Sequence, residues 1–309
     1  MLVTARGFII FLSFLFSFNA NANTLFEGWF EVYLGAKKIG YMTERFEFAD
    51  KKFKATTYLK TNAEGGSITE SLKAFAGPDL TPLNYSYTSK SGEEIKIIDA
   101  TFKGELMTLK INDGKSDKKE TKRIKKGTFL SSFLLYLIFQ NGGLSVGKNF
   151  TYSAIAEEDG SAHIGKAAIT SKEKIKDKET YKILNSFKGD KYFTWATAKG
   201  EIVLSRAPEK NIDVRFVASQ AEATKGFMVN NTDLKLLFGK IPGETSTEIP
   251  TEETTLETQA ADKKKRLTPT EPSGPAGKKA GVPAGEGLMI KGVPPTSAPL
   301  TTPTPYQKK

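Results

Sequence analysis

Thr128–Gln140, TFLSSFLLYLIFQ, is apolar nearly all round, and its reading decides the fold. Thr128 has the side chain to cap a helix start, and Asn141-Gly142 supplies an end. A helix of about 13 residues rises roughly 20 Å, which is short for a membrane span. A helix this apolar must be covered on most sides. The economical cover is the concavity of a curved sheet, so the rest of the chain is read for strands.

Strands are what it offers. Phe30–Leu34 is followed by the turn Gly35–Lys38 and a return over Ile39–Ala49; Phe53–Thr61 makes a third strand. Met107, Leu109 and Ile111 alternate with Thr108, Lys110 and Asn112, the period of a half-buried strand. Turn signals recur at Asp50-Lys51, Gly65-Gly66, Ser91-Gly92, Lys103-Gly104, Asp113-Gly114, Asp159-Gly160, Lys188–Asp190 and Lys199-Gly200. Such spacing marks an antiparallel meander. A short helix over Gln220–Phe227, started by Ser219, and a last packed segment at Asn231–Phe238 complete the domain. The expected fold is mainly β: a curved antiparallel, half-barrel-like sheet around one buried apolar helix.

The flanks read differently. Arg6, the apolar run Gly7–Phe18 and the small-x-small site Ala20–Ala22 make residues 1–22 a signal peptide, with the mature chain from Asn23. The domain spans 23–240. From Ile241 to Lys309, eleven of the fourteen prolines fall among Thr, Ser, Gly and Glu, so 241–309 is read as a disordered tail. The chain is expected to be exported to the periplasm or cell envelope of a Gram-negative bacterium or released, with no transmembrane anchor. That removes nucleotide cofactors, and no cofactor is expected.

Gly28-Trp29-Phe30-x-Val32-Tyr33-Leu34-Gly35-x-Lys37-Lys38-Ile39-Gly40-Tyr41 resembles the opening of a bacterial exported β-rich domain of unknown function. That domain is often found ahead of transglutaminase-like domains. Leu144–Phe150, Lys191–Trp195 with Gly200–Val203, and Ser219–Ala223 fit the same layout. The layout is also similar to the half-barrel of lipoprotein carriers, which implies a curved sheet around a helical plug and, in some members, bound lipid. Here a proline-rich stretch follows in place of a transglutaminase-like domain. The resemblance therefore implies a scaffold and no active-site residue.

Chemistry is tested by what is present. With no Cys and a single His, a cysteine nucleophile is excluded and a His/Cys zinc set is not available. His163 is read as an ordinary strand residue, since no G-x-S-x-G elbow accompanies it. Gly142–Lys148 has the opening of a phosphate loop, but Asn149 stands where Ser or Thr is needed, and a helix precedes it instead of following. Glu157-Glu158-Asp159 is read as a solvated hairpin tip. No catalytic residue is nominated and no enzyme is expected, although carboxylates distant in sequence leave a hydrolase conceivable.

Net charge is +10, with Lys clusters at Lys118-Lys119, Lys122–Lys126 and Lys172–Lys178. These are read chiefly as protected strand edges. The expected function is a binding module for an apolar or lipid ligand, with Trp29, Phe133, Tyr136 and Trp195 as binding residues. The alternative is an interaction protein meeting a protein partner or anionic envelope polymer through its basic surface and tail. Nucleic acid is not an expected partner.

Overall fold

The computed structural model describes residues 23–244. The segments read as leader and tail lie outside the described residues, apart from Ile241–Glu244. Strands β1 (Asn23–Leu34), β2 (Lys37–Ala49), β3 (Lys52–Thr61), β4 (Ile68–Ala76), β5 (Pro82–Ser91), β6 (Glu94–Lys103), β7 (Leu106–Asn112) and β8 (Asp117–Arg123) form an unbroken antiparallel meander. A two-residue strand β9 (Phe129–Leu130) and helix α1 (Leu134–Gln140) follow. A second meander contains β10 (Asn149–Ala156), β11 (Ser161–Ile175), β12 (Lys178–Phe187), β13 (Asp190–Ala196), β14 (Ile202–Ala207) and β15 (Ile212–Val217). Helices α2 (Gln220–Ala223) and α3 (Asn231–Phe238) end it.

All fifteen strands join one sheet, because the first strand pairs with the last. β1 and β15 run antiparallel, with Phe30 opposite Phe216 and Val32 opposite Val214. The outer strands are then β8 and β9. Only six residue steps separate Arg123 from Phe129, a reach of at most about 20 Å. β9 also lies against β4. The sheet thus curls until its halves face one another across a shared core. β9 pairs parallel with β10, Phe129 opposite Ala154, the one parallel contact in the sheet. β8 carries Lys118, Lys119, Lys122 and Arg123 on a largely exposed strand, the charge pattern that discourages pairing with another chain.

The turns follow the glycine signals. Gly35, Gly66, Gly92, Gly104, Gly114, Gly160, Gly189 and Gly200 all have φ between +59° and +93°. Gly200 is needed for space as well. A Cβ there would stand 2.8 Å from the Phe139 ring, so the β13–β14 turn rests directly on α1.

The helix is shorter than the sequence suggests. Phe129-Leu130 is strand, Ser131–Phe133 a 3-10 turn, and α1 begins only at Leu134. A short apolar run suits a buried strand as well as a helix, and here it serves as both. Thr128 caps nothing; its hydroxyl meets Ser153 Oγ at 2.8 Å. The C-terminal end is as read, with Asn141 Nδ2 donating to Leu137 O and the chain leaving through Gly142 and Gly143.

There are two cores, one on each face. Phe26, Phe30, Val32, Met42, Phe46, Leu59, Phe133, Ile138, Ile183 and Val214 belong to the concave one. On the convex face Trp29, Tyr41, Tyr58 and Val217 are covered by Ala223, Leu234, Phe238 and Ile241. β2 is consequently buried on both sides from Ile39 to Phe46. Arg45 lies beneath the end of α3, 2% exposed. It donates to Phe238 O (2.8 Å) and Lys240 O (3.3 Å), pairs with Glu27, and stacks on the Phe238 ring. A guanidinium there meets both the carbonyl ends and the negative pole of the helix.

Arg45→Ala removes the guanidinium from those carbonyls and leaves Glu27 only the Gly243 N–H. It is expected to lower stability by about 3 kcal/mol in urea denaturation, with Arg45→Lys intermediate. Loss of under 0.5 kcal/mol would show that α3 is not anchored through this residue.

Candidate functional site

Between α1 and the concave face lies a cavity of about 170 Å³. Its apolar wall is built from Met42, Leu59, Leu134, Ile138, Ile183 and Val214, which come from both halves of the sheet and from the helix. Four carboxyl residues share that wall: Glu44 of β2, Glu70 of β4, and Glu157 and Glu158 at the β10–β11 turn. Among the described residues no Lys, Arg or His lines it.

Each carboxyl group has its own surroundings. Glu157, 4% exposed, reaches the start of the helical segment. It accepts hydrogen bonds from Ser131 Oγ and, at 3.1 Å, from the Ser132 backbone N–H. A helix start without a side-chain cap of its own is thus satisfied from a distant hairpin. Burial pushes the Glu157 carboxyl up to about 7, opposed by those hydrogen bonds. Glu70 accepts from the Tyr87 hydroxyl at 2.8 Å. Glu158 pairs with Lys188 Nζ at 2.5 Å, and its carbonyl accepts from Lys96 Nζ at 2.9 Å. Glu44 is different. It is 7% exposed, and its Oε1 has no hydrogen-bond partner among the described residues. Burial alone pushes its carboxyl up to about 8.

The acidic triplet is therefore not a solvated tip, a correction to the sequence reading. Asp159 also pairs with Lys188, and the hairpin folds inward because Ser131, Ser132, Lys188 and Lys96 all present donors to it.

The four binding residues nominated from sequence separate between faces. Phe133 is fully buried beside Phe46 and Phe53, and Tyr136 packs on the same rings and lines the cavity. Trp29 lies on the convex face, its Nε1 donating to Pro242 O at 2.9 Å. Trp195 alternates with the inward Tyr192, Thr194 and Ala196. It is stacked with Lys182 and Arg206, and its Nε1 donates to Glu173 at 2.6 Å. The two Trp residues therefore do not share a site with the helix aromatics.

The discounted motifs have local roles. Lys148 Nζ donates to Gly142 O at 2.6 Å, closing its own loop. Ser161 Oγ stands between Asp159 and His163 Nε2, 2.7 Å from the latter. In a catalytic triad the acid orients the imidazole; here it contacts the serine. Among the described residues no group of three or more His, Cys, Asp or Glu is placed to hold a metal ion, and no helix is long and apolar enough to cross a membrane.

The chain matches no protein-family model and no curated protein. A solved structure, the β-barrel-like protein of domain of unknown function DUF1849 from Brucella abortus, matches with a TM-score of 0.46 at 9% identity. The match covers 62% of this chain and 95% of that one.

The folded chain holds a proton on Glu44 that an unfolded Glu, with a pKa of 4.5, gives up. Stability therefore falls as pH rises from about 4.5 to 8, and Glu157 adds the same trend up to about 7. Glu44→Gln needs no proton. Its melting temperature is expected to equal the parent's near pH 5 and to exceed it by several °C at pH 9. Parallel melting curves across that range would remove Glu44 as the source.

Proposed function

We propose that this protein is a non-enzymatic binding module of the cell envelope whose cavity between α1 and the concave face takes a small apolar ligand. The observation that carries this reading is the cavity itself, walled by side chains from both meanders and the helix. A ligand that enters it takes the apolar wall of Met42, Leu59, Leu134, Ile138, Ile183 and Val214 out of water. The volume suits a short alkyl chain or the end of a longer one. The apolar leader-like segment before Asn23 supports placement outside the cytoplasm. Val214 and Ile183, on the second meander, and Leu59, on the first, supply the apolar contacts.

Toluene titrated into the protein is expected to give saturable NMR shifts at the methyl groups of Leu59, Ile138, Ile183 and Val214. Val214→Phe, which fills the space, is expected to weaken that binding at least tenfold while melting within a few °C of the parent. Methyl shifts that do not saturate, or that survive Val214→Phe unchanged, would remove the cavity as a binding site.

A further inference from the structure

We infer that the ligand of this cavity is an aliphatic amine, its ammonium group meeting Glu44 and its hydrocarbon lying against Leu59, Leu134, Ile138 and Val214. The inference rests on the reading of the cavity as a binding site and adds the chemical class of what enters.

The wall is one-signed. It presents Glu44, Glu70, Glu157 and Glu158 and, among the described residues, no basic side chain. Three of the four have work within the protein: Glu157 holds the start of the helical segment, Glu70 takes the Tyr87 hydroxyl, and Glu158 is neutralised by Lys188. Glu44 has none of this, although it is more than nine-tenths buried and lines the same space. A buried oxygen left without a donor is costly, and protein interiors rarely tolerate one. The ligand that removes the cost carries a donor.

The choice among donors and acceptors follows from charge. A carboxylate-headed ligand could accept the Glu44 proton, but it brings a second acid to a wall that holds Glu70, Glu157 and Glu158 and, among the described residues, no basic side chain. A hydrocarbon leaves the oxygen as it was. An alcohol supplies one hydrogen bond without charge. An ammonium supplies both a donor and the opposite charge, in a setting where low local polarity strengthens the pair.

The proton balance is explicit. With its carboxyl pushed up to about 8 by burial, Glu44 holds its proton at neutral pH; the titratable groups on the same wall are Tyr136 of α1, Glu70 of β4, Tyr87 of β5 and the Glu157-Glu158 turn. Binding of R–NH₃⁺ ionises Glu44: its O–H bond breaks and the proton passes to the buffer, while every other covalent bond is unchanged. Affinity for an amine therefore rises with pH below about 8, by up to tenfold per unit.

The test is isothermal calorimetry on the full chain with n-hexylamine, 1-hexanol and sodium hexanoate, at pH 6.5 and 7.5 and in two buffers of different ionisation heat. Hexylamine is expected to bind at least tenfold tighter than hexanol at pH 7.5, with hexanoate weakest. About 0.8 proton is released per hexylamine at pH 7.5 and nearly one at pH 6.5, and none per hexanol. Glu44→Gln is expected to keep hexanol binding within threefold and to lose both the amine preference and the proton release. Equal binding of hexylamine and hexanol, or a preference for hexanoate, overturns the amine reading and leaves the cavity reading standing. Failure of all three to bind overturns both. The buffer dependence is read on the unaltered protein, so the test stands even where the variant does not fold.

Discussion

A sheet curled round a concave face must fill that face, and α1 is too short to do so. Seven helical residues span about 10 Å, half of what the sequence run suggests. Phe129 and Leu130 are spent on β9, which finishes the second meander at its edge and brings that edge against β4. The remaining helix enters with Phe133 and Tyr136 against Phe46 and Phe53 and stops at Asn141. The space left between its Leu134, Leu135 and Ile138 side and the concave face is the cavity. Two of the carboxyl groups around it follow from the helix start, which has no side-chain cap of its own: Glu157 comes inward to supply one, and Glu158 comes with it.

Much of the architecture was legible in local chemistry. Glycine-bearing hairpins and the alternation of β7 are short-range signals, and each sits where its spacing put it. The closing segments were readable in part: Ser219 caps α2 by accepting from Glu222 N, but the helix ends at Ala223 and does not run on to Phe227, and Asn231–Phe238, expected only to pack, is a helix capped by Asn230. Phe129-Leu130 was not legible as strand, because two apolar residues ahead of a longer apolar run carry no period. The turn Lys176-Asp177, with φ of +44° and +66° and no glycine, gave no composition signal either.

The site was harder. Glu44 sits in Tyr41-Met42-Thr43-Glu44-Arg45-Phe46, where both faces of the strand are buried and alternation vanishes. A glutamate and an arginine side by side there read as ordinary polar strand residues. They in fact face opposite cores, Arg45 outward to α3 and Glu44 inward to the cavity. Glu70 and Glu157 reach the same space from strands far away in sequence, and only the curl of the sheet joins them. The two Trp residues offered a signal that was available: Trp29 has the opposite parity to Phe26, Phe30 and Val32, and Trp195 the opposite parity to Tyr192 and Thr194.

The β1–β15 seam is sealed from outside by Trp29, α2, α3 and the Ile241-Pro242 segment, and its strands are nearly the whole described chain apart. Contacts of that separation form late, so each meander must persist for a time with an unpaired edge. The seal also brings the ends together. Gly243 N–H donates to Glu27, which lies four residues, about 14 Å of strand, from Asn23. Asn23 and Glu244, the ends of the described residues, thus lie near the same stretch of β1. These ends suit joining by a short linker, with new termini opened at an exposed turn such as Ser91-Gly92, and neither the seam nor the cavity is cut.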